Sequence, residues 1–415
     1  MNDLENRNVL VMGLGLFGGG LGAVEFLCRM GARVTVTDLR GERELQESIE
    51  ALKDWPVAYT LGRHEEKDFT GTDLVVANPG VPRSSRYLKL AEAAGVPVTS
   101  EICMFAERCD APVLGITGSS GKTTTTALTE TILTKGSRSV FCGGNLGGSL
   151  LGRLREITPE SQVVLELSSF QLDRLGDLAW SPEIAVVTNF APNHLDVHGS
   201  LEAYLSAKRQ IVAHQGDGDL SLVNADDPEV RSWGDGGRLM FSTVAPVPRG
   251  VYVESGVILH NIFGKLVEIS EVGDLRLPGR HNLENALAAS GAALCSGATE
   301  TEVAEALHEF QGVEHRLELI VEVNGVRYIN DSVATSPERT LAALESVAGK
   351  IVLIAGGYDK GLAFEGLGIE IGQRVAHLVL LGKTAETIAK SLPYEASTQV
   401  HRAETLAGAV GIASE

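Results

Sequence analysis

Basic residues are in short supply: 35 Lys and Arg face 54 Asp and Glu in 415 residues, a formal net charge of −19 at pH 7. A chain of that sign repels a phosphate backbone, which excludes nucleic-acid binding as the main task. A single nucleotide stays possible, because one local cation and a few backbone amides can hold it. Cysteine is sparse as well. The five residues Cys28, Cys103, Cys109, Cys142 and Cys295 make no C-x-x-C pair. An odd count without spacing reads as reduced cytoplasmic thiols, not as a disulfide frame or a zinc site. No apolar run reaches membrane-spanning length, and the acidic start Met1-Asn2-Asp3-Leu4-Glu5 has no signal-peptide core. We expect a cytoplasmic protein with no membrane partner. We find no low-complexity tract and no short repeat.

What is present is ordinary globular composition, 44% apolar and 21% charged, in a chain too long for one core. Two or three domains are expected. The 47 glycines suit many tight strand–helix turns.

The most informative stretch is Thr117-Gly118-Ser119-Ser120-Gly121-Lys122-Thr123. It follows the apolar run Pro112 to Ile116, a buried parallel strand, and precedes a helical stretch starting at Thr124. Strand, glycine loop and Lys-Thr at a helix start form a cradle for nucleotide phosphates. Lys122 offsets phosphate charge there, and the Thr123 hydroxyl can bind Mg²⁺. The glycine that usually leads such a loop is replaced by Ile116.

Near the N-terminus, Asn8 to Met12 reads as a strand, followed by Gly13-Leu14-Gly15-Leu16-Phe17-Gly18 and a helix from Leu21 to Met30. Arg33 to Thr37 is a second strand, ending at Asp38. Alone, this is a dinucleotide fingerprint with an acidic ribose ligand, the mark of an NAD-dependent oxidoreductase. The physics supports only a diphosphate at a helix N-terminus. Asn78-Pro79-Gly80 closes another strand, at the end where open α/β sheets bind ligands.

Further on, Glu166 ends the apolar strand Gln162 to Leu167. A buried carboxylate there needs a metal ion or a cation. Ile184 to Asn189 is a strand, with His194 just beyond as a metal ligand, a phosphate contact or a structural histidine. Lys208 lies on a helix, where a lone lysine is usually solvated. Short β segments are expected over 251–277. Asn282 and Asn285 open an Ala-rich helix and either face a purine or, for Asn282, cap the helix. In the last hundred residues Asn324-Gly325 is a type I′ hairpin signal between two strands. Buried strands at Lys350 to Ala355 and His377 to Leu381 then point to a small Rossmann-like unit.

Taken in order, several motifs resemble the Mur ligase family: the loop from Thr117 to Thr123; Leu165-Glu166-Leu167-Ser168-Ser169-Phe170-Gln171-Leu172; Thr188-Asn189 with His194-Leu195-Asp196; Ala207-Lys208; and Gly279-Arg280-His281-Asn282-Leu283-Glu284-Asn285-Ala286. The resemblance runs from about residue 7 to about residue 385. It is strongest toward the family's D-glutamate-adding member.

The resemblance implies an α/β chain of three domains. These are a uridine-nucleotide-binding Rossmann-like domain (1–99), a central P-loop ATPase-type domain with added β segments (100–312) and a C-terminal Rossmann-like domain for the amino acid (313–415). It implies ATP and Mg²⁺, with UDP-N-acetylmuramoyl-L-alanine and D-glutamate as substrates, and a monomer. ATP would meet Gly118, Ser119, Ser120, Gly121, Lys122, Thr123, Thr124, Asn282, Asn285, Arg316 and Asp331. The uridine substrate would meet Leu16, Phe17, Asp38, Arg40, Asn78 and Gly80, and at its other end Asn145, Ser168 and Gln171. Thr335 and Lys360 would face D-glutamate. Thr123, Glu166, His194 and a carbamylated Lys208 would hold metal, and Lys122, Glu166, His194 and Lys208 would carry the chemistry. Another Mur-type ligase or a folylpolyglutamate-type ligase shares this architecture and stands as the first alternative, with an NAD-dependent oxidoreductase as the second. Two departures are visible: Val333 replaces a lysine common in the family, and no closing Ser-Pro-Ala segment precedes Ser414-Glu415. The expectation is a fragment or an amino-acid pocket finished differently.

Overall fold

The computed structural model describes residues 4–14, 19–145, 148–192, 198–234, 237–277, 279–315, 317–334, 337–347, 349–358 and 364–415. The chain forms two compact units, residues 1–310 and 311–415.

Two sheets build the first unit. One holds β1 (Asn8–Met12), β2 (Arg33–Asp38), β3 (Val57–Leu61), β4 (Leu74–Ala77) and β5 (Val98–Thr99) in the order β3-β2-β1-β4-β5. All of its pairings are parallel. Helix α1 (Gly19–Arg29) follows β1 and buries Ala23, Val24, Phe26 and Leu27. That face repeats at helical spacing, so it packs on the sheet while Arg29 complements the helix C-terminus. The helix begins two residues earlier than its apolar pattern suggested.

The other sheet has nine strands: β6 (Val113–Thr117), β7 (Val140–Gly144), β8 (Gln162–Glu166), β9 (Ile184–Val187), β10 (Leu220–Asn224), β11 (Arg238–Ser242), β12 (Gly250–Glu254), β13 (Val257–His260) and β14 (Val267–Glu271). Their order is β14-β13-β12-β11-β10-β9-β6-β8-β7. Strand β6 therefore lies inside the sheet, between β8 and β9. All five of its residues are buried, as an unbroken apolar run between two parallel neighbours demands. The expected β segments appear as β12 to β14, which turn antiparallel at the sheet edge.

Helix α2 (Glu101–Ala106) is capped by Ser100, whose side chain accepts from the Cys103 amide. Helix α3 (Lys122–Lys135) leaves the phosphate loop, and α4 (Ser169–Leu175) follows β8. Helix α5 (Leu201–Ala213) is capped by Ser200 and buries Lys208. Helix α6 (Arg280–Cys295) is Ala-rich and packs on α3 with small side chains. Its N-cap is Gly279, so Asn282 sits in the first turn and is not the cap.

The second unit pairs β15 (Glu318–Val323) with β16 (Val326–Asn330), and β17 (Ile351–Gly357) with β18 (Val375–Gly382) and β19 (Gln399–Arg402). The hairpin turn has φ of 52° at Asn324 and 79° at Gly325, the left-handed pair that a type I′ turn needs. The chain's last helix, Leu406–Ser414, exposes Leu406 and Val410.

Candidate functional site

The phosphate loop, Glu166 and Thr188-Asn189 lie at the carboxyl ends of β6, β8 and β9. Register sets their places: Ile116 pairs with Glu166, and Thr117 pairs with Val187. The three strand ends therefore deliver the phosphate loop, a carboxylate and Thr188-Asn189 to one rim of the sheet.

The loop is tightly held. Gly121 has φ +80°, and a Cβ there would come 2.3 Å from Asn285 Oδ1. Only glycine meets both demands. Helix α3 begins at the next residue, so its first-turn amides and dipole face the loop. Thr188 Oγ1 donates to the Ser120 carbonyl at 2.6 Å. Ser119 Oγ donates to the Ala191 carbonyl at 2.8 Å and meets Tyr204 OH at 3.0 Å.

Two lysines converge on one carbonyl. Lys122 Nζ donates to Gly118 O at 2.8 Å, and Lys208 Nζ donates to the same oxygen at 2.7 Å. Lys208 is 1% exposed and lies over the Tyr204 ring. Burial, reinforced by the neighbouring Lys122 charge, holds its amine well below the usual lysine range, against an opposing pull from Glu166. This is not the solvated helical lysine that the local sequence alone would favour. Dry surroundings favour a neutral, nucleophilic amine.

Glu166 is buried. Asn145 Nδ2 donates to its Oε1 at 2.6 Å, while Oε2 has no hydrogen-bond partner. Gly144 enables this approach: it has φ +90°, and a Cβ would meet the Glu166 carbonyl oxygen at 2.4 Å. An orphaned carboxylate oxygen in a dry site is costly unless a cation completes it. The donor set of Glu166 with the Thr123 hydroxyl is hard oxygen, the preference of Mg²⁺. No cluster of three or more His, Cys, Asp or Glu side chains forms a metal group among the described residues. His194, the remaining expected ligand, lies outside them.

The structure gives other expected contacts additional roles. Ser168 and Gln171 form a capping box for α4: the Gln171 amide donates to Ser168 Oγ, and the Ser168 amide donates to Gln171 Oε1 at 3.0 Å. The Ser-x-x-Gln spacing carried that signal and was read only as substrate contact. Asn285 Oδ1 accepts from Thr125 Oγ1 at 3.4 Å, which sets it against the loop. Asn282, also buried, lies one helical turn away. Gly118, Thr123 and Thr124 complete the loop and the helix start.

At the first sheet, Asp38 is buried and braces the glycine turn, accepting from the Leu14 amide at 3.0 Å and the Arg40 amide at 2.9 Å. Asn78 Oδ1 accepts from the Gly80 amide at 3.1 Å. These four residues stand at the carboxyl ends of β2 and β4, as expected. Arg83 forms ion pairs with Asp173 and Asp177, and Arg174 donates to the Val81 carbonyl at 3.4 Å. The turn carrying Asn78 is thereby tied to α4. Sequence reasoning missed this tie, because the partners lie 90 residues apart. In the second unit Asp331 accepts from the Leu317 amide at 3.1 Å. Leu16, Phe17, Arg316, Thr335 and Lys360 lie outside the described residues.

Sequence profiles match along the chain: a Mur ligase MurD-like N-terminal domain at residues 7–100, a Mur ligase middle domain at 116–293 and a Mur ligase glutamate ligase domain at 315–415. A protein of Roseiflexus sp. (strain RS-1), named UDP-N-acetylmuramoylalanine–D-glutamate ligase, is 44% identical over 394 residues, spanning 92% of this chain and 84% of that protein. One of the same name from Acetivibrio thermocellus is 38% identical over 392 residues, spanning 94% and 83%. Among solved structures, UDP-N-acetylmuramate-alanine ligase MurC from Thermotoga maritima superposes with TM-score 0.64 at 21% identity, covering 97% of this chain and 91% of that one. MurF from Acinetobacter baumannii gives 0.58 at 18% identity, covering 99% and 84%. These structural likenesses speak for the fold.

Proposed function

The chain belongs to the Mur ligase family, and from that premise we propose how its residues join D-glutamate to UDP-N-acetylmuramoyl-L-alanine with ATP. It is an ATP-dependent ligase of peptidoglycan precursor synthesis. The observation that carries the mechanism is the convergence of Lys122, Lys208 and Glu166 around the Gly118–Thr123 loop.

The alanyl carboxylate attacks the γ-phosphorus of ATP, ADP leaves, and an acyl phosphate forms. The D-glutamate amine then attacks that carbonyl, an amide bond forms, and phosphate departs with the amine proton lost to solvent. Both partners in the first step are anions. Lys122 and the first-turn amides of α3 offset the phosphate charge. Thr123, Glu166 and His194 would hold Mg²⁺, which supplies charge neutralisation for the triphosphate. Lys208 would take up CO₂: its Nζ, in the neutral form that burial favours, attacks the carbon, one C=O bond becomes a C–O⁻, and a proton is released. The resulting carbamate would put an anion where the neutral amine stood.

At the far end, Asp38, Arg40, Asn78 and Gly80, with Leu16 and Phe17, would hold the uridine diphosphate. Asn145, Ser168 and Gln171 would line the muramoyl-alanine. Thr335 and Lys360 would receive D-glutamate, a cation for a dicarboxylate. Asn282 and Asn285 would meet ATP in the region of its base, and Arg316 and Asp331 would be further ATP contacts. We place the domain boundaries of this reading near residues 99 and 312. We further propose that the enzyme works as a monomer in the cytoplasm.

Phosphate release measured with ATP, UDP-N-acetylmuramoyl-L-alanine and D-glutamate tests this reading. It should require all three and vanish in Lys122→Ala. Turnover with folate or with a longer muramoyl peptide, or equal release by the variant, would overturn it.

A further inference from the structure

The segment that leaves β9 is zipped against the phosphate loop, with Asn189 bonding it through both its backbone and its side chain. The Ser119 amide donates to the Asn189 carbonyl at 3.1 Å. The Ser120 amide donates to Asn189 Oδ1 at 2.9 Å, and Asn189 Nδ2 donates back to the Ser120 carbonyl at 3.3 Å. A side-chain amide thus pairs with a peptide unit as a neighbouring strand would. Beyond it, the Phe190 amide donates to Asp227 Oδ2 at 2.8 Å. The other oxygen of Asp227 accepts from the Glu229 and Val230 amides at 2.9 and 3.2 Å. Asn224 Nδ2 donates to the Thr188 carbonyl at 2.9 Å. The β9 exit is therefore fixed from behind by the β10 turn and grips the loop in front.

This grip decides which amides are left for phosphate. Those of Ser119 and Ser120 are already spent inward. The outward donors are those at the start of α3, where a helix leaves its first amides without intrahelical partners. We propose that Asn189 is a positioning residue for ATP: it turns two loop amides inward and so presents the triphosphate with the helix end and Lys122. Asp227 acts behind it. The proposal rests on the ATP-dependent ligase reading, but its central claim concerns the ligand-free loop.

The test uses the full chain with Asn189→Ala, Asn189→Asp and Asp227→Asn. In ligand-free protein, hydrogen–deuterium exchange across residues 117–123 should rise in Asn189→Ala, while the melting temperature stays near that of the wild type. The KM for ATP should rise about tenfold, as loss of one well-formed hydrogen bond predicts. The KM for the uridine substrate should move by less than about twofold, since its contacts are elsewhere. Asn189→Asp keeps the acceptor for Ser120 but adds a negative charge, so exchange should rise less while ATP binding still weakens. Unchanged exchange, or an equal shift in every KM, would overturn the proposal. If Asn189→Ala fails to fold, Asp227→Asn decides: a smaller rise in loop exchange supports the strut, and none refutes it. Failure of the wild type to release phosphate would sink the ligase reading alone, because the ligand-free exchange still reports on Asn189.

Discussion

Lys122 and Lys208 donate to the same acceptor, the carbonyl of Gly118, at 2.8 and 2.7 Å. Burial first, and the neighbouring Lys122 charge second, hold the Lys208 amine well below the usual lysine range, which favours its neutral form. A neutral amine is what CO₂ requires. With ¹³C-bicarbonate, the wild type should show a carbamate resonance that is missing in Lys208→Met. That variant should lose at least about 100-fold in kcat, the usual size of a lost electrostatic group. A fully active Lys208→Met would remove the carbamate from the mechanism.

Glu166 makes the opposite trade. Its Oε2 is buried without a hydrogen bond, a cost the fold carries in the absence of a cation. Glu166→Gln removes the charge and keeps the shape. Thermal unfolding should shift upward by about 1–2 °C, as expected for roughly 1 kcal/mol in a protein of this size. Phosphate release should collapse, and Mg²⁺ should no longer stabilise the protein. An unchanged response to Mg²⁺ would remove Glu166 from the metal site.

Gly121→Ala tests the geometry of the loop. The new methyl would lie 2.3 Å from Asn285 Oδ1 on a backbone with φ +80°. Strain of about 1–3 kcal/mol should lower stability, and ATP should no longer protect against unfolding. The double variant with Asn285→Ala relieves the contact but not the φ. Part of the stability should return, and a calorimetric scan with and without ATP would show it.

Glu101 sets a pH dependence. Burial pushes its carboxyl up to about 7, partly offset by the hydroxyl of Ser149, which donates to it at 2.5 Å. The folded state therefore holds this proton more tightly than the unfolded chain does. Stability from this group is fully present below about pH 4.5 and declines as pH rises through about 7. The decline should amount to about 3 kcal/mol over that window. Urea titrations at pH 5 and pH 8 should show it, and Glu101→Gln should flatten the difference.

How much could be read from the chain follows sequence distance. The phosphate loop was legible because strand, glycines, Lys122 and Thr123 are contiguous, and each does a local job. The hairpin at Asn324-Gly325 was legible for the same reason. Lys208 was not: nothing within its helix says that its amine ends beneath a loop 90 positions earlier. Asn189 was visible only as part of a motif, because its partner Ser120 is 69 residues away. Ser168 and Gln171 show a different failure. Their capping-box spacing is local and readable, yet the functional reading took precedence over it.

The pairing of Ile116 with Glu166 and of Thr117 with Val187 has a consequence for how this protein can go wrong. Side chains alternate across a strand, so a slip of one residue between β6 and β8 would send Glu166 to the opposite side of the sheet. The apolar runs on both strands are nearly uniform, and burial alone penalises such a slip weakly. A misassembled molecule would stay compact, with its loop intact and its carboxylate facing the wrong layer. Fidelity of strand alignment during folding is thus a requirement for activity that a stability measurement would miss.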